Sequence, residues 1–211
     1  FTRFLGNTNA EWVRCKDESL SNIIDGGTVM ETMTDYGRSI FTGRCYINDR
    51  PYAVIYSNPD SSRSIIPADP GNLMSERQIL DYSGSVLYPD SSYKFAQTVY
   101  DSNREKLPLL IWLNWRGFSG GTRDMFNEIL KFGSMIVDSL RSYDQEIITY
   151  VPPGCELRGG AMVVLSSGIN KNIRMFADPS AKIGILEPSG AFEIKYKKKL
   201  TVGDMEKADI I

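Results

Sequence analysis

Residues 109–121, LLIWLNWRGFSGG, run from an apolar segment into two consecutive glycines. The apolar part, 109–113, has the composition of a buried β-strand. Apolar side chains recur at helical spacing in 122–140, and these are Met125, Ile129, Phe132, Ile136 and Leu140. The stretch NWRGFSGG (114–121) is therefore either a tight strand-to-helix turn or a turn whose backbone is exposed for a ligand.

A second glycine turn, ELRGG (156–160), is followed by the apolar run AMVVL (161–165). Glycine removes the Cβ that keeps a ligand away from main-chain N–H groups. A helix that starts there leaves several N–H groups unpaired, at the positive end of its dipole. Such a place binds phosphate or stabilises the negative oxygen of an enolised thioester. A structural turn and an anion site are both compatible with the pattern, which matches neither GxxxxGK[ST] nor GxGxxG.

Two charged residues beside these motifs have two interpretations each. Arg116, between an aromatic residue and a glycine, suits two-point binding of a carboxylate, or it is a surface arginine that closes a loop through a salt bridge. Glu187, in ILEPSG (185–190), belongs to a substrate wall, or it is an exposed loop acid or a strand-end partner for a lysine.

The order of elements along the chain predicts the fold class. Residues 39–47 and 52–57 predict a hairpin, and 88–105 predicts a helix capped by Ser91 or Ser92. Residues 58–82 hold several turn formers and no clear period. Further elements are predicted as strands at 146–151, 174–178, 182–190 and 191–196 and the start of a helix at 201–211. This order predicts an α/β domain whose site is formed by loops at strand ends.

Composition excludes several classes of partner. The chain has 211 residues, 42% of them hydrophobic, which is enough for one sizeable core. A net charge of −2 provides no basic field for nucleic acid or a membrane surface, and the basic stretch 193–200 is short. No run reaches the roughly 20 apolar residues of a membrane span. The start lacks Met and a signal-peptide pattern, so we expect a processed chain or a piece of a larger one.

The chain contains no histidine, which limits its possible chemistry. Ser-His-Asp and Cys-His mechanisms and His-ligated metals are excluded within it. Cys15, Cys45 and Cys155 lack zinc-ligand spacing, and an odd cysteine count without a secretory signal fits a reducing compartment. Proton transfers in any enzymatic role must therefore use carboxylates, Lys, Tyr, the substrate or a cofactor.

The two glycine motifs belong to longer segments that resemble one family. These segments are 37–55, 87–109, 107–140, YVPPGCELRGGAMVV (150–164) and ILEPSGAFEIKYKKK (185–199). In this order they resemble the carboxyltransferase region of multidomain, eukaryotic-type acetyl-CoA carboxylases. In that family the carboxyltransferase has two related halves, each with a crotonase-like ββα superhelix of α/β class. The chain resembles the C-terminal half as a single domain over 1–211, with a weakly matching lead-in (1–23) and a family-like core (24–200).

The resemblance implies a biotin-dependent ligase. Its carboxyltransferase moves a carboxyl group from carboxybiotin to acetyl-CoA and yields malonyl-CoA, the first committed step of fatty acid synthesis. Because the cofactor carries the difficult chemistry, a chain without histidine can still take part in catalysis. ATP and Mg belong to a biotin carboxylase domain that is absent from this sequence.

Site residues carried over from the resemblance fall into two groups. Gly159 and Gly160 match glycines whose amides form an oxyanion hole, and Arg116 matches an arginine linked to the substrate carboxylate or acyl group. The biotin side is implied for Gly133, Phe118, Glu187 and Gly190. The sequence departs from the family pattern at Met162, Arg174 and Ser189, where the family has tryptophan, an acid, and Glu or Gln.

Partners are implied in the same way. They are the N-terminal half of the carboxyltransferase and a biotin carboxyl carrier domain, in a homodimer, with no nucleic acid and no membrane. The implied location is cytoplasmic, and a plastid also fits. We expect the isolated chain to be inactive and to expose apolar surface where the missing half docks. The alternatives are a non-catalytic crotonase-like module that binds acyl-CoA or a biotinyl domain, and a carboxyltransferase for another acyl-CoA.

Overall fold

A computed structural model describes residues 18–58 and 60–185. Within these residues the elements are, in chain order, α1 (Glu18–Ser21), β1 (Met30–Glu31), β2 (Ile40–Ile47), β3 (Arg50–Ser57), β4 (Ser62–Ile66), β5 (Gln78–Tyr82), β6 (Val86–Leu87), α2 (Pro89–Arg104), β7 (Leu109–Trp112), β8 (Gly117–Phe118), α3 (Thr122–Phe126), α4 (Ile129–Arg141), β9 (Ile147–Val151), β10 (Glu156–Arg158), α5 (Gly159–Val164), β11 (Ile173–Ala177) and β12 (Lys182–Gly184). The strand predicted at 191–196 and the helix start predicted at 201–211 lie outside the described residues.

Six strands form the central sheet, in the order β1-β2-β3-β7-β9-β11. The first three are antiparallel, and β3, β7, β9 and β11 run parallel. The predicted hairpin of β2 and β3 is confirmed. Asn48 and Asp49 at its turn both have positive φ, which suits a two-residue turn that matches the twist of the strands. The parallel strands place their carboxyl ends along one edge, where connecting segments can form a site.

The two faces of the sheet carry separate apolar cores. Ile55 and Ile111 are neighbours on β3 and β7, and both pack in the cluster that contains the buried side chains of α2 and α4. The next residues along, Tyr56 and Trp112, belong to the cluster on the opposite face, together with Leu20 of α1. This alternation follows from the two-residue period of a strand. Each fully buried isoleucine contributes about 1.5–3 kcal/mol of transfer free energy.

The helix predicted at 88–105 is present as α2, but its cap differs from the prediction. Tyr88 is the N-cap and Pro89 the first helical residue, so the prediction of Ser91 or Ser92 as the N-cap is wrong. Ser91 instead closes the capping box from the third position, and its Oγ accepts the Tyr88 N–H at 2.8 Å. Serine replaces the usual Glu or Gln of that box, which is why the sequence pattern pointed to the wrong residue.

The single helix predicted over 122–140 is two helices. Glu128 takes a left-handed conformation, φ 63°, between α3 and α4, and this ends the regular helix. Ile129, Ile136 and Leu140 of the predicted apolar face are buried, whereas Met125 is 49% exposed. The break turns α3 away from the core, so the apolar side chains of α3 remain at the surface.

The segment 58–82, predicted as a long irregular stretch, contains a hairpin. Strands β4 and β5 pair antiparallel, from Ser62 opposite Tyr82 to Ile66 opposite Gln78. The alternation of apolar and polar residues that marks a half-buried strand is weak here, because apolar residues such as Ile79 (55% exposed) lie at the surface. The hairpin leads into β6, which pairs in parallel with β8 of the first glycine motif.

Candidate active site

Two glycine turns that are about 40 residues apart in the chain touch each other. Trp115 and Leu157 form a parallel bridge, and the Arg158 N–H donates to the Trp115 carbonyl at 2.9 Å. A Cβ built on Gly159 would lie 3.1 Å from the Arg116 carbonyl oxygen. The absence of a side chain there therefore lets the two turns approach.

Helix α5 begins at the second turn. Arg158 is the extended N-cap, and Gly159 follows with φ 55°, a conformation that L side chains rarely adopt. The Gly159 N–H donates to the Ile185 carbonyl at 3.1 Å. Gly160 is exposed, and its N–H belongs to the first turn, where helices provide no internal acceptor. Of the two predicted oxyanion-hole glycines, Gly159 thus has its N–H bonded to Ile185, and Gly160 lies at the exposed start of α5.

The Phe118 ring lies between two glycines of different helices. A Cβ on Gly133 of α4 would come within 3.3 Å of one edge of the ring, and a Cβ on Gly160 within 3.0 Å of the other. Both distances are tighter than most real Cβ contacts, so a side chain at either position would push the ring by a few tenths of an ångström. The structure thus brings together three residues that the sequence analysis assigned to the site.

Both arginines of the glycine motifs bind the same carboxylate. Arg116 Nε donates to Glu156 Oε1 at 2.5 Å, and Arg158 Nε donates to Glu156 Oε2 at 2.7 Å. The hydrogen bond from Arg158, followed by that from Arg116, lowers the pKa of the Glu156 carboxyl. Arg116 therefore takes the loop-closing salt bridge that the sequence left as one alternative. Its side chain is still 62% exposed, so a second contact is open to it.

Sequence reasoning missed Glu156. A signal was present, because residues two apart on a strand point to the same side and Glu156 precedes Arg158 by two. The carboxylate could therefore have been paired with Arg158 in advance. Its contact with Arg116 depends on the meeting of the two turns, which no local pattern reports.

A cleft of about 660 Å³ lies next to this ion-pair cluster. Arg116 and Glu156 contribute to its wall, with Asn114 from the end of β7 and the aromatic Tyr82 and Tyr88. The exposed side chain of Arg116 is therefore open to a ligand in the cleft.

The first turn is held by its own polar contacts. Ser119 Oγ donates to Asp124 Oδ2 at 2.5 Å, and Arg123 Nη2 lies 2.9 Å from Asp124 Oδ1. Asp124 is only 5% exposed. In the same turn, a Cβ on Gly120 would meet nothing within 4 Å. The three small residues therefore differ: Ser119 is tied to Asp124, a Cβ on Gly121 would make ordinary contacts at 3.6 Å, and Gly120 has no steric limit within 4 Å.

Two predicted site residues, Glu187 and Gly190, lie outside the described residues, and their predicted roles stay predictions. Ile185, the last described residue, bonds to Gly159. The departure Met162 is half-buried against the main core, and the departure Arg174 lies 3.3 Å from Glu146.

Exposed apolar side chains surround this region. Phe126 of α3 is 83% exposed, Leu130 of α4 is 74% exposed and Val163 of α5 is 51% exposed. All three helices are neighbours of the Phe118 strand or of each other in the fold. If they form one patch, exposed apolar side chains of this size mark a surface that another polypeptide covers.

Residues 18–58 and 60–185 contain neither a metal-binding cluster nor a membrane-spanning helix. No group of three or more His, Cys, Asp or Glu side chains is arranged to hold a metal ion. No helix there has both the length and the apolar character needed to cross a membrane.

Comparisons with known proteins point to one family. The family described as carboxyl transferase domain matches residues 17–210. The acetyl-CoA carboxylase of Dictyostelium discoideum is 47% identical over 192 residues, which are 90% of this chain and 8% of that protein. The acetyl-CoA carboxylase of Schizosaccharomyces pombe is 42% identical over 92% of this chain and 9% of its own length, and acetyl-CoA carboxylase 1 of Arabidopsis thaliana is 44% identical over 90% and 8%. The chain thus spans less than a tenth of these relatives.

A solved structure agrees with the fold. The beta subunit of geranyl-CoA carboxylase from P. aeruginosa superposes with a TM-score of 0.68 at 18% identity, over 89% of this chain and 32% of that subunit. At that identity the likeness concerns the fold alone. The α/β, crotonase-like class predicted from the sequence is confirmed.

Proposed function

Because this chain belongs to the carboxyl transferase domain family, we propose that it forms part of an acetyl-CoA carboxylase and transfers a carboxyl group from carboxybiotin to acetyl-CoA, giving malonyl-CoA. The observation that carries the proposal is the meeting of the two glycine turns, which puts the exposed residue Gly160, at the start of α5, beside Phe118. Identity of 42–47% to acetyl-CoA carboxylases over nine-tenths of the chain supports the choice of acetyl-CoA.

The residues present fit a biotin ring and a thioester oxygen. Gly133 and Gly160 leave room for the apolar Phe118 ring, which packs between them and fills that space. A flat apolar side chain next to a helix-start N–H matches a ligand that combines a flat ring with a negative oxygen. Glu187 and Gly190 are proposed for the same side from the sequence.

The roles of the residues follow from their positions. When bound, carboxybiotin supplies the carboxyl group and a ring nitrogen that accepts a proton from the methyl carbon of acetyl-CoA. The Gly160 N–H, with the dipole of α5 behind it, holds the negative charge that develops on the thioester oxygen. Arg116 offers its terminal nitrogens to a carboxylate. Phe118 keeps water from the apolar side of the turn.

The proposed site is incomplete in this chain. We propose that the N-terminal half of the carboxyltransferase and a biotin carboxyl carrier domain, both elsewhere in a larger homodimeric ligase, complete it. ATP and Mg would act only in a biotin carboxylase region outside this sequence. The exposed Phe126, Leu130 and Val163 support a covered face. The limits of the single domain at 1–211 and a cytoplasmic location, or a plastid one, stay predictions from the sequence.

The first experiment compares this chain with a longer polypeptide. Purified alone, the 211 residues are expected to give little or no carboxyl transfer between malonyl-CoA and biotin, since half of the site is missing. A polypeptide that contains both carboxyltransferase halves should catalyse it. The readout is exchange of labelled carboxyl carbon. Appreciable turnover by the isolated chain would contradict the half-site proposal.

Replacing Arg116 by alanine in the complete enzyme is expected to lower kcat for malonyl-CoA formation at least about tenfold, because hydrogen bonds to a charged group are worth about 1.5–3 kcal/mol. Folding should change little, since an exposed ion pair contributes at most about 1 kcal/mol. Arg63→Ala is the control, because Arg63 also pairs at the surface, 2.7 Å from Asp81, but on the hairpin. Unchanged kinetics in Arg116→Ala would remove Arg116 from the site.

A further inference from the structure

Glu156 is the common acceptor for the arginines of both glycine turns. Each of its carboxylate oxygens accepts one Nε–H, from Arg116 at 2.5 Å and from Arg158 at 2.7 Å. Its side chain is 14% exposed, so the pairs are partly shielded from water. Charge-assisted hydrogen bonds of this kind fix geometry as well as add energy.

The backbone at all three residues is also held. The Glu156 N–H donates to Asn114 Oδ1 at 3.2 Å, and the Arg116 N–H donates to the Ser85 carbonyl at 2.8 Å. The Arg158 N–H is bound to Trp115, as described above. With the main chain fixed, the remaining freedom is in the Arg116 side chain, which is 62% exposed.

An exposed arginine loses rotamer entropy when it binds a ligand. Side chains of this length lose much of their rotamer freedom when they are ordered. Glu156 orders Arg116 before any ligand arrives, because it holds Nε. Among the described residues, no hydrogen bond involves the terminal nitrogens Nη1 and Nη2 of Arg116. The edge of the guanidinium that suits two-point carboxylate binding is thus left open.

The charge of the cluster also favours an anion. Two guanidinium groups and one carboxylate leave a net charge of +1, and the two arginines keep the pKa of Glu156 below its usual value, so the acid stays ionised. Arg158 is only 13% exposed and acts mainly as the inner anchor of Glu156. Arg116 is the outer, reachable cation at the cleft wall.

We propose that Glu156 is a positioning residue, which aims the terminal nitrogens of Arg116 at the carboxylate handled in the reaction while Arg158 anchors it from behind. The inference rests on the proposed carboxyltransferase function. Glu156 does not touch the reacting atoms, and its effect passes through Arg116.

The test is a double-mutant cycle in the complete carboxylase. Glu156→Gln keeps the shape but offers one acceptor oxygen and one donor NH2, so it can satisfy only one of the two arginines. In the otherwise unchanged enzyme it should lower kcat for malonyl-CoA formation about fivefold to tenfold, with KM for acetyl-CoA changed less than about twofold, as expected when a transition-state contact is loosened. In the Arg116→Ala background, Glu156→Gln should lower kcat less than about twofold, because the effects of two coupled residues are not additive.

Three controls separate this role from a structural one. Lys131→Ala removes an exposed ion pair of α4, in which Lys131 lies 2.6 Å from Glu128 and outside the Glu156 cluster, so its kcat should stay within about twofold of the parent. ATP-dependent carboxylation of biotin, which takes place in another domain, should be unchanged in every variant. If Glu156→Gln unfolds at a lower temperature than the parent, Glu156→Asp, which keeps the charge and shortens the reach, repeats the cycle, and Arg116→Lys replaces Arg116→Ala if activity falls below detection.

Equal losses in both backgrounds would overturn the inference, because Glu156 would then act without Arg116. No loss in the parent background would overturn it as well. Failure of the proposed function has a different signature, since the complete unmodified enzyme would then form no malonyl-CoA. If the Arg116→Ala substitution leaves kcat unchanged, Arg116 is not part of the site, and the inference that Glu156 acts through Arg116 is overturned.

Discussion

Gly160→Val lowers kcat for malonyl-CoA formation by the complete carboxylase about 1,000-fold, the upper range for loss of one oxyanion-hole donor. The first added carbon would lie 3.0 Å from the Phe118 ring, before the two methyl groups of valine are counted. The larger valine side chain is therefore expected to displace the ring from its position against Gly133 and to crowd the start of α5. The role proposed for the Phe118 ring and the role proposed for the Gly160 N–H are therefore lost together.

Matched variants separate this effect from general damage to the turn. Gly120→Ala adds a Cβ that meets nothing within 4 Å, so its kcat should stay within about twofold of the parent, as for surface changes away from special features. Gly160→Ala should fall between the two. Steady-state malonyl-CoA formation and thermal unfolding are measured for all three. A Gly160→Val enzyme that keeps a tenth or more of parental kcat would refute the assignment of the amide.

Trp115→Ala destabilises the domain by about 3–5 kcal/mol, the usual range for truncating a large buried aromatic side chain. Trp115 is fully buried, and its ring packs against Phe95 with centroids 5.8 Å apart. Because native domains are stable by only about 5–15 kcal/mol, this loss is a large fraction of the total. Urea unfolding of the same carboxyltransferase polypeptide, with and without the change, measures it.

Trp115→Phe is the control for that experiment. The buried indole Nε1 has no hydrogen-bond partner among the described residues, so phenylalanine removes volume without breaking a hydrogen bond. We expect it to cost about 1–2 kcal/mol, well below the alanine variant. An alanine variant within about 1 kcal/mol of the parent would mean that the core relaxes into the space, contrary to close packing.

The sequence predicted some of the secondary structure around these residues correctly and some of it wrongly. The hairpin of β2 and β3 follows from alternation and β-rich composition, and the strand β7 from a continuous apolar run, which are local properties and survive in the fold. The break at Glu128 does not follow from spacing, because the apolar period continues through it. The N-cap of α2 was predicted at the wrong residue, because a serine can take either the N-cap or the third position of a capping box.

Resemblance of longer segments indicated the family, and local chemistry in the chain was sufficient to predict the α/β class, the two glycine turns and the absence of histidine chemistry. Each is a matter of residue types and short spacings, which stay in register whatever the remainder of the chain does. The seat of Phe118 between Gly133 and Gly160, the pairing of both arginines with Glu156, and the hydrogen bond from the Gly159 N–H to Ile185 came from the tertiary structure alone. Those contacts join segments about 15 to 40 residues apart, and the parallel packing of their strands, rather than any local preference, brings them within hydrogen-bonding or van der Waals distance.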